Sequence, residues 1–440
     1  MREILIKIKF IAGLFLTALL LIAFYYSYDY WNDSSEEPFV GQRGPYLQSP
    51  SDTAITIRWR SKHKEQSTLY YAETETDLSQ MVLEQQERTE HEIRLTDLQA
   101  NTRYFYTISA PDAEKQIQTT YWFKTSPEPH IAYPTRFIVL GDPGRHTRKQ
   151  KSVLKATLTW LDKNTSSDFP YIDFLMTTGD NAYTSGTDRQ FQKHFFQPLE
   201  NILVHVPVWP GYGNHDARSD TFFDIFTLPL HDESGGEPSG TERYYSFNYA
   251  NTHIIMLDSN NNEPDSLSTM LDWLDKDLIG NTNANWLIAV FHHPPYTKGS
   301  HDSDDVNDSG GKMFVTREQI IPRLEKAGVD LIINGHSHSY ERSFLLHGHY
   351  GTSSTLKSQM ILDKSKDAIF EKPESGKGTI YAVVGSSTFT DPGNLNHPVM
   401  QVSFAVAGAL VVEVNDKILS GHFVNDKGNA LDTFKIIQTK

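Results

Sequence analysis

The chain has 440 residues, enough for two or three domains, and its 38% hydrophobic and 12% aromatic content can fill their cores. It contains no cysteine, which excludes disulfides and thiolate metal sites but leaves the compartment open. A formal net charge of -15 argues against nucleic-acid binding through phosphates, and any anionic substrate would need a strong local positive field.

The amino terminus reads as a membrane segment. Arg2, Lys7 and Lys9 precede an uncharged apolar run over residues 10–26. As a helix this run would span about 26 Å, near the lower limit for crossing a bilayer. The leading positive charges favour an inside amino terminus. No small-x-small cleavage site follows, so an uncleaved anchor is expected rather than a cleaved signal peptide. Either way the bulk of the chain is expected outside the cytoplasm, periplasmic or extracellular, and secreted if the segment is removed. Residues 1–30 are therefore read as anchor. Residues 31–42, acidic and containing Pro38, are read as linker.

Residues 43–128 carry strand patterning. "TAITIRWRS" alternates Ile55, Ile57 and Trp59 with Thr56, Arg58 and Arg60. "STLYYAE" and "TTYWFKTS" add further β-rich runs. Leu98, Thr102 and Tyr104 in "LTDLQANTRYFYTIS" resemble the tyrosine corner of a fibronectin type III-like sandwich, whose hydroxyl bonds back to nearby backbone.

Over residues 129–440 strands alternate with helices, which predicts a layered α/β domain. "RFIVLGD", "YIDFLMTTGD", "VPVWPGYGNHD", "THIIMLDSN", "NWLIAVFHHPP" and "VDLIINGHSHS" read as strands. "KSVLKATLTWLDK" and residues 269–278 and 317–326 have helical spacing. "GTIYAVVGSS", "GALVVEVND" and "LSGHFVND" add late strands, and residues 353–377 read as an irregular insertion.

Five of these strands finish in residues able to bind metal. They end in Asp142; in Asp180 and Tyr183; in Asn214 and His215; in His292 and His293; and in His336 and His338. In α/β sheets ligands bind beyond the carboxyl ends of strands, so these residues are expected to converge on one patch. Carboxylate, phenolate, amide oxygen and imidazole suit first-row metals. Asp142, Asp180, Tyr183, Asn214, His292, His336 and His338 are too many for one ion with open positions, but they would serve two ions clamping an in-line displacement at phosphorus, with Asp180 between them.

The blocks GDxG, GDxxY, GNHD, a histidine before the prolines of "HHPPY", and "GHSHSYER", in that order, resemble the metallophosphoesterase superfamily. The closest resemblance is to the plant-type purple acid phosphatases, to whose leading domain "RGPYLQ" and "ITIRWRS" are also similar. The resemblance implies an N-terminal β-sandwich followed by a domain of two packed β-sheets flanked by helices. It implies two metal ions, Fe(III) plus a divalent ion (Fe, Zn or Mn). Asp142, Tyr183 and His338 match the ferric ligands, Asn214, His292 and His336 the divalent ones, and Asp180 the bridge. Val290 stands three before His293, as a VxxH block would have it, but the H-x-P-x-Y spacing fits His292 and favours that residue.

The implied activity is hydrolysis of a phosphomonoester by hydroxide generated at the metals. His215 matches a phosphate-binding histidine. His301, on the polar loop nine residues beyond His292, is the candidate general acid or phosphate binder. Glu341 and Arg342 are expected to brace the histidine loop. His347 and His349, and the acidic loop 302–308, are expected at the surface. The partners implied are a phosphate ester and, through the amino-terminal helix, a membrane; nothing in the sequence sets an oligomeric state. Two alternatives stand beside this reading: a phosphodiesterase or nucleotide hydrolase on the same centre, and a catalytically inert cell-surface binding protein.

Overall fold

The computed structural model describes residues 15–17, 38–109, 119–145, 147–281, 283–373 and 375–439. The expected anchor lies outside them apart from Phe15, Leu16 and Thr17, which are helical. Among the described residues no helix is long and apolar enough to cross a membrane.

Seven strands open the described chain: β1 (Arg43–Gln48), β2 (Ile55–Glu65), β3 (Thr68–Ala72), β4 (Gln80–Leu83), β5 (Arg88–Leu95), β6 (Arg103–Ser109) and β7 (Tyr121–Lys124). They form two antiparallel sheets, β1-β2-β5 and β4-β3-β6-β7. Ile55, Ile57 and Trp59, as the alternation read in the sequence expects, meet Leu69, Ile93, Tyr104 and Phe123 in one core between them. Tyr104 makes the expected corner, its hydroxyl accepting from the Gln99 backbone N–H at 2.9 Å.

The remaining strands are β8 (Thr135–Leu140), β9 (Phe174–Thr177), β10 (Val208–Trp209), β11 (Tyr245–Tyr249), β12 (Thr252–Met256), β13 (Trp286–Val290), β14 (Leu331–Asn334), β15 (Tyr340–Ser343), β16 (Leu345–Leu346), β17 (Ile361–Asp363), β18 (Ile369–Lys372), β19 (Ile380–Val383), β20 (Met400–Phe404), β21 (Gly408–Asn415), β22 (Ile418–Asn425) and β23 (Ala430–Gln438). One seven-stranded sheet runs β10-β9-β8-β21-β22-β23-β18 and a second runs β11-β12-β13-β14-β19-β15-β20. The two share a core in which Phe137, Met176 and Trp209 meet Phe247, Ile288 and Ile333. Trp209 stacks on Phe247 with ring centroids 3.8 Å apart, and Tyr340 on Phe423 at 3.9 Å. Helix Arg148–Lys163 covers the first sheet, burying Val153 and Leu161 at helical spacing. Helices Pro264–Gly280 and Ile321–Ala327 cover the second sheet through Met270, Leu274 and Leu324.

The parallel pairs decide where the chemistry goes. β8, β9 and β10 run parallel in the first sheet, and β12, β13, β14 and β19 in the second. All five strands that end in polar blocks thus point their carboxyl ends to one side of the sandwich.

The stretch 353–377 departs from expectation. It contributes β18, which pairs parallel with β23 as an edge strand. A helical segment over 188–203 was not anticipated. It starts in a capping box between Thr187 and Gln190 and carries Arg43 of the β-sandwich against its first turn. The small sandwich is tied here through polar groups: Tyr46 Oη donates to the Ile225 carbonyl at 2.6 Å, and Tyr106 Oη donates to the Val204 carbonyl at 2.9 Å. Asp188 is paired with buried Arg43, and with Arg60 at 2.8 Å.

Candidate metal centre

Each polar block follows a short buried strand through a sharp exit. Asp142, Asp180 and His336 have left-handed φ values of 51°, 54° and 66°. Such values strain a residue with a side chain and persist where the surroundings enforce them. The glycines beside them permit close approach. A Cβ on Gly213 would collide with the Asp180 backbone and carboxylate, and one on Gly335 with the carboxylate of Asp142.

The structure brings the sequence-derived residues together in two overlapping groups. In the first, Tyr183 Oη lies 3.1 Å from Asp142 Oδ2 and 3.3 Å from His338 Nε2, and that nitrogen lies 3.3 Å from Asp142 Oδ2. In the second, His292 Nε2 lies 3.0 Å from Asn214 Oδ1 and 3.5 Å from Asp180 Oδ1. Donor atoms of Asp142, Asp180 and His292 lie within 4.8 Å of one another, so Asp180 stands between the groups. His336 joins through its ring, 5.0 Å from that of His292, and its backbone N–H donates to Asp142 Oδ1 at 2.9 Å. Of the two adjacent histidines, His292 faces Asn214 and Asp180, whereas His293 Nδ1 sits on Ser259 Oγ at 2.9 Å.

These contacts fit a cation. His292 Nδ1 is 2.9 Å from the Thr178 carbonyl, which can only accept, so Nδ1 carries the proton and Nε2 the lone pair of the neutral ring. That lone pair then faces the oxygens of Asn214 and Asp180 with no hydrogen between them. In the protein alone a second proton answers the need: burial opposes it, but Asp180 outweighs burial and raises His292 to about 9. Burial likewise works against the Asp180 carboxylate, but the His292 charge and hydrogen bond hold it below its ordinary range. Burial and the carboxylates of Asp142 and Asp180 keep the Tyr183 phenol protonated well beyond its usual range, a repulsion that a bound cation reverses. Burial, together with four neighbouring histidines, holds His336 neutral, as a ligand requires.

His215 and His301 flank the cluster. His215 Nδ1 donates to the Thr184 carbonyl at 2.6 Å, its backbone N–H donates to Asp180 Oδ1 at 2.8 Å, and its Nε2 is 3.9 Å from Asp180 Oδ2. His301 stacks on His336 with centroids 3.9 Å apart, and its Nδ1 lies 2.8 Å from Asp308 Oδ1.

Several supporting residues escaped the sequence reading. Asp216, fully buried, receives the backbone N–H of Asn181 and Gly213 and the Asn181 side chain, each at 2.9 Å, so it ties the loop after β9 to the loop after β10. Its position directly after His215 was the available signal. Arg145 covers the outer face, its guanidinium carbon 4.6 Å from the Tyr183 ring centroid and 4.0 Å from that of Phe389. Glu341 braces the histidine loop by accepting from Ser339 Oγ at 3.0 Å and from Thr297 Oγ1. Arg342 instead pairs with Asp432 at 2.6 Å.

Two surface expectations are corrected. His349 is buried against Tyr296, with ring centroids 5.4 Å apart, and His347 is half-buried beside Glu325. The acidic loop lies at the surface as expected, with residues 305–307 exposed, while Asp304 accepts from the Ser353 backbone at 2.8 Å and pairs with Lys298 at 3.0 Å.

Two family models match the chain: Calcineurin-like phosphoesterase over residues 135–340, and the Purple acid Phosphatase N-terminal domain over residues 43–125. In both regions the chain is similar to the purple acid phosphatases. Among curated relatives, purple acid phosphatase 18 of Arabidopsis thaliana is 30% identical over 264 residues, covering 58% of this chain and 53% of that protein. Purple acid phosphatase 15 of the same plant is 27% identical over 279 residues, covering 58% and 49%. The chain thus spans about half the length of the curated relatives it matches. A purple acid phosphatase from yellow lupin (Lupinus luteus) seeds shares the fold with a TM-score of 0.69 at 17% identity, over 90% of this chain and 74% of that one.

Proposed function

We propose that the protein hydrolyses phosphate monoesters at a two-metal centre held by Asp142, Tyr183 and His338 on one side, Asn214, His292 and His336 on the other, and Asp180 between them. The observation that carries this reading is the meeting of these seven side chains beyond the carboxyl ends of five strands, with the lone pair of His292 Nε2 facing the oxygens of Asn214 and Asp180. Tyr183 favours Fe(III) in the first position, with Fe, Zn or Mn in the second. Bound cations would neutralise phosphate charge and activate water.

The chain's own residues do the rest. The Thr184 carbonyl fixes the His215 ring and leaves Nε2 directed past Asp180, placed to hold a phosphate oxygen. His301, fixed at Nδ1 by Asp308, presents Nε2 as the group that hands a proton to the departing alkoxide. Arg145 and Arg218, the latter 3.0 Å from the Thr184 carbonyl, add positive charge at the mouth of a protein whose net charge is -15. The boundaries read at residues 43–128 and 129–440 divide a β-sandwich support from the hydrolytic domain. The apolar run 10–26 supports tethering of both outside the cytoplasm.

The test compares p-nitrophenyl phosphate with its bis ester, in the wild type and in Asp180→Asn. The proposal expects monoester hydrolysis that Asp180→Asn abolishes. Activity on the bis ester alone, or activity that survives the substitution, overturns it.

A further inference from the structure

The loop beyond His301 reaches back to His336 through Ser309. Ser309 adopts a left-handed φ of 55°, followed by Gly310 at 64° and Gly311 at 78°. A serine there costs backbone strain that glycine would not. The turn places Ser309 Oγ 2.6 Å from His336 Nε2 and 2.7 Å from Asp308 Oδ1. Lys312 Nζ, 3.3 Å from the Ser309 carbonyl, pins the same residue from the other side.

Proton accounting gives the contact a direction. The Asp308 carboxylate can only accept; it takes the Asp302 N–H at 2.8 Å and His301 Nδ1–H at 2.8 Å as well as the serine. The single hydroxyl proton of Ser309 is therefore committed to Asp308. Its oxygen can only accept from His336, so the His336 proton lies on Nε2 and Nδ1 keeps the lone pair. The same carboxylate holds the Nδ1 proton of His301, whose ring stacks on His336.

Resting on the two-metal reading above, we propose that Ser309, backed by Asp308, is a positioning residue that fixes the tautomer of His336 and thereby makes its Nδ1 the metal-binding atom. Hydrogen-bond partners of metal-bound histidines typically contribute 10–100-fold to metal affinity.

Two variants that both lose the hydroxyl separate this role from a structural one. Ser309→Gly relieves the left-handed turn and Ser309→Ala does not, so their unfolding midpoints move apart. Metal-free wild type, Ser309→Gly and Ser309→Ala are titrated with Zn(II) by calorimetry. The proposal expects two sites in the wild type, and one of them weakened on the order of 10–100-fold in both variants alike, whatever their stability. Two sites of undiminished affinity in Ser309→Gly would overturn the role of Ser309 while leaving the two-metal reading intact. Fewer than two sites in the wild type would overturn both.

Discussion

Replacing Asp216 by Asn tests whether a buried carboxylate holds the two halves of the first sheet's metal edge together. Oδ1 of Asp216 accepts from the backbone N–H of Asn181 at 2.9 Å and of Ala182 at 3.3 Å. Oδ2 accepts from Asn181 Nδ2 and from the Gly213 N–H, each at 2.9 Å. Asparagine keeps the shape but only one accepting oxygen, so two N–H groups face a donor in either orientation. A buried donor left unpaired costs about 1–3 kcal/mol, which gives roughly 2–6 kcal/mol for the pair. Native domains hold only about 5–15 kcal/mol in total. Guanidinium unfolding of the metal-free protein should therefore show the midpoint of Asp216→Asn falling by the equivalent of several kcal/mol. The loops carrying Asp180 and Asn214 lose their shared anchor, so metal content should fall with it. A loss below about 1 kcal/mol would refute the claim that these bonds hold the loops in register.

Other substitutions probe other parts of the account. Asp188→Ala strips the carboxylate from buried Arg43 and should cost roughly 3–5 kcal/mol in chemical unfolding, because a buried cation is left uncompensated. Gly213→Ala drives a methyl group into Asp180 and should abolish metal binding, measured by elemental analysis, more completely than it lowers stability. Asp173 gives a pH dependence. Burial, against the Arg136 N–H and Tyr249 hydroxyl, raises its carboxyl from the ordinary 3.8 to about 6. The folded state thus favours the protonated form, and the stability it contributes is full below pH 3.8 and lost as pH rises through about 6. The loss amounts to about 3 kcal/mol. Asn at this position can accept from Arg136 and donate to Tyr249, so the stability of wild type relative to Asp173→Asn should fall across that window; a flat difference would contradict the reading.

The donors of the candidate metal centre were legible because they cluster at the ends of short apolar runs, with glycine before the first of them in four of the five blocks, a pattern that a buried strand has no packing reason to adopt. Parallel pairing then fixed where those ends meet. The tyrosine corner was legible because its chemistry is local: Tyr104 bonds a backbone N–H only five residues before it. The helical segment at 188–203 was missed although Thr187 and Gln190 spell a capping box, because its buried phenylalanines serve a core assembled from distant strands. Ser309 could not be read from spacing, since its role depends on a left-handed turn that carries its oxygen to a histidine 27 residues on. His349 looked like a surface residue beside His347 because its partner, Tyr296, is 53 positions away in sequence.

The central claim is that seven side chains form one cage for two cations. Elemental analysis of the purified protein, repeated after exhaustive chelation and on Asp180→Asn, tests it most directly. The account predicts two metal equivalents per chain, phosphomonoesterase activity that disappears and returns with them, and both lost in the variant. One equivalent or none in active protein, or activity that persists after chelation, would contradict it.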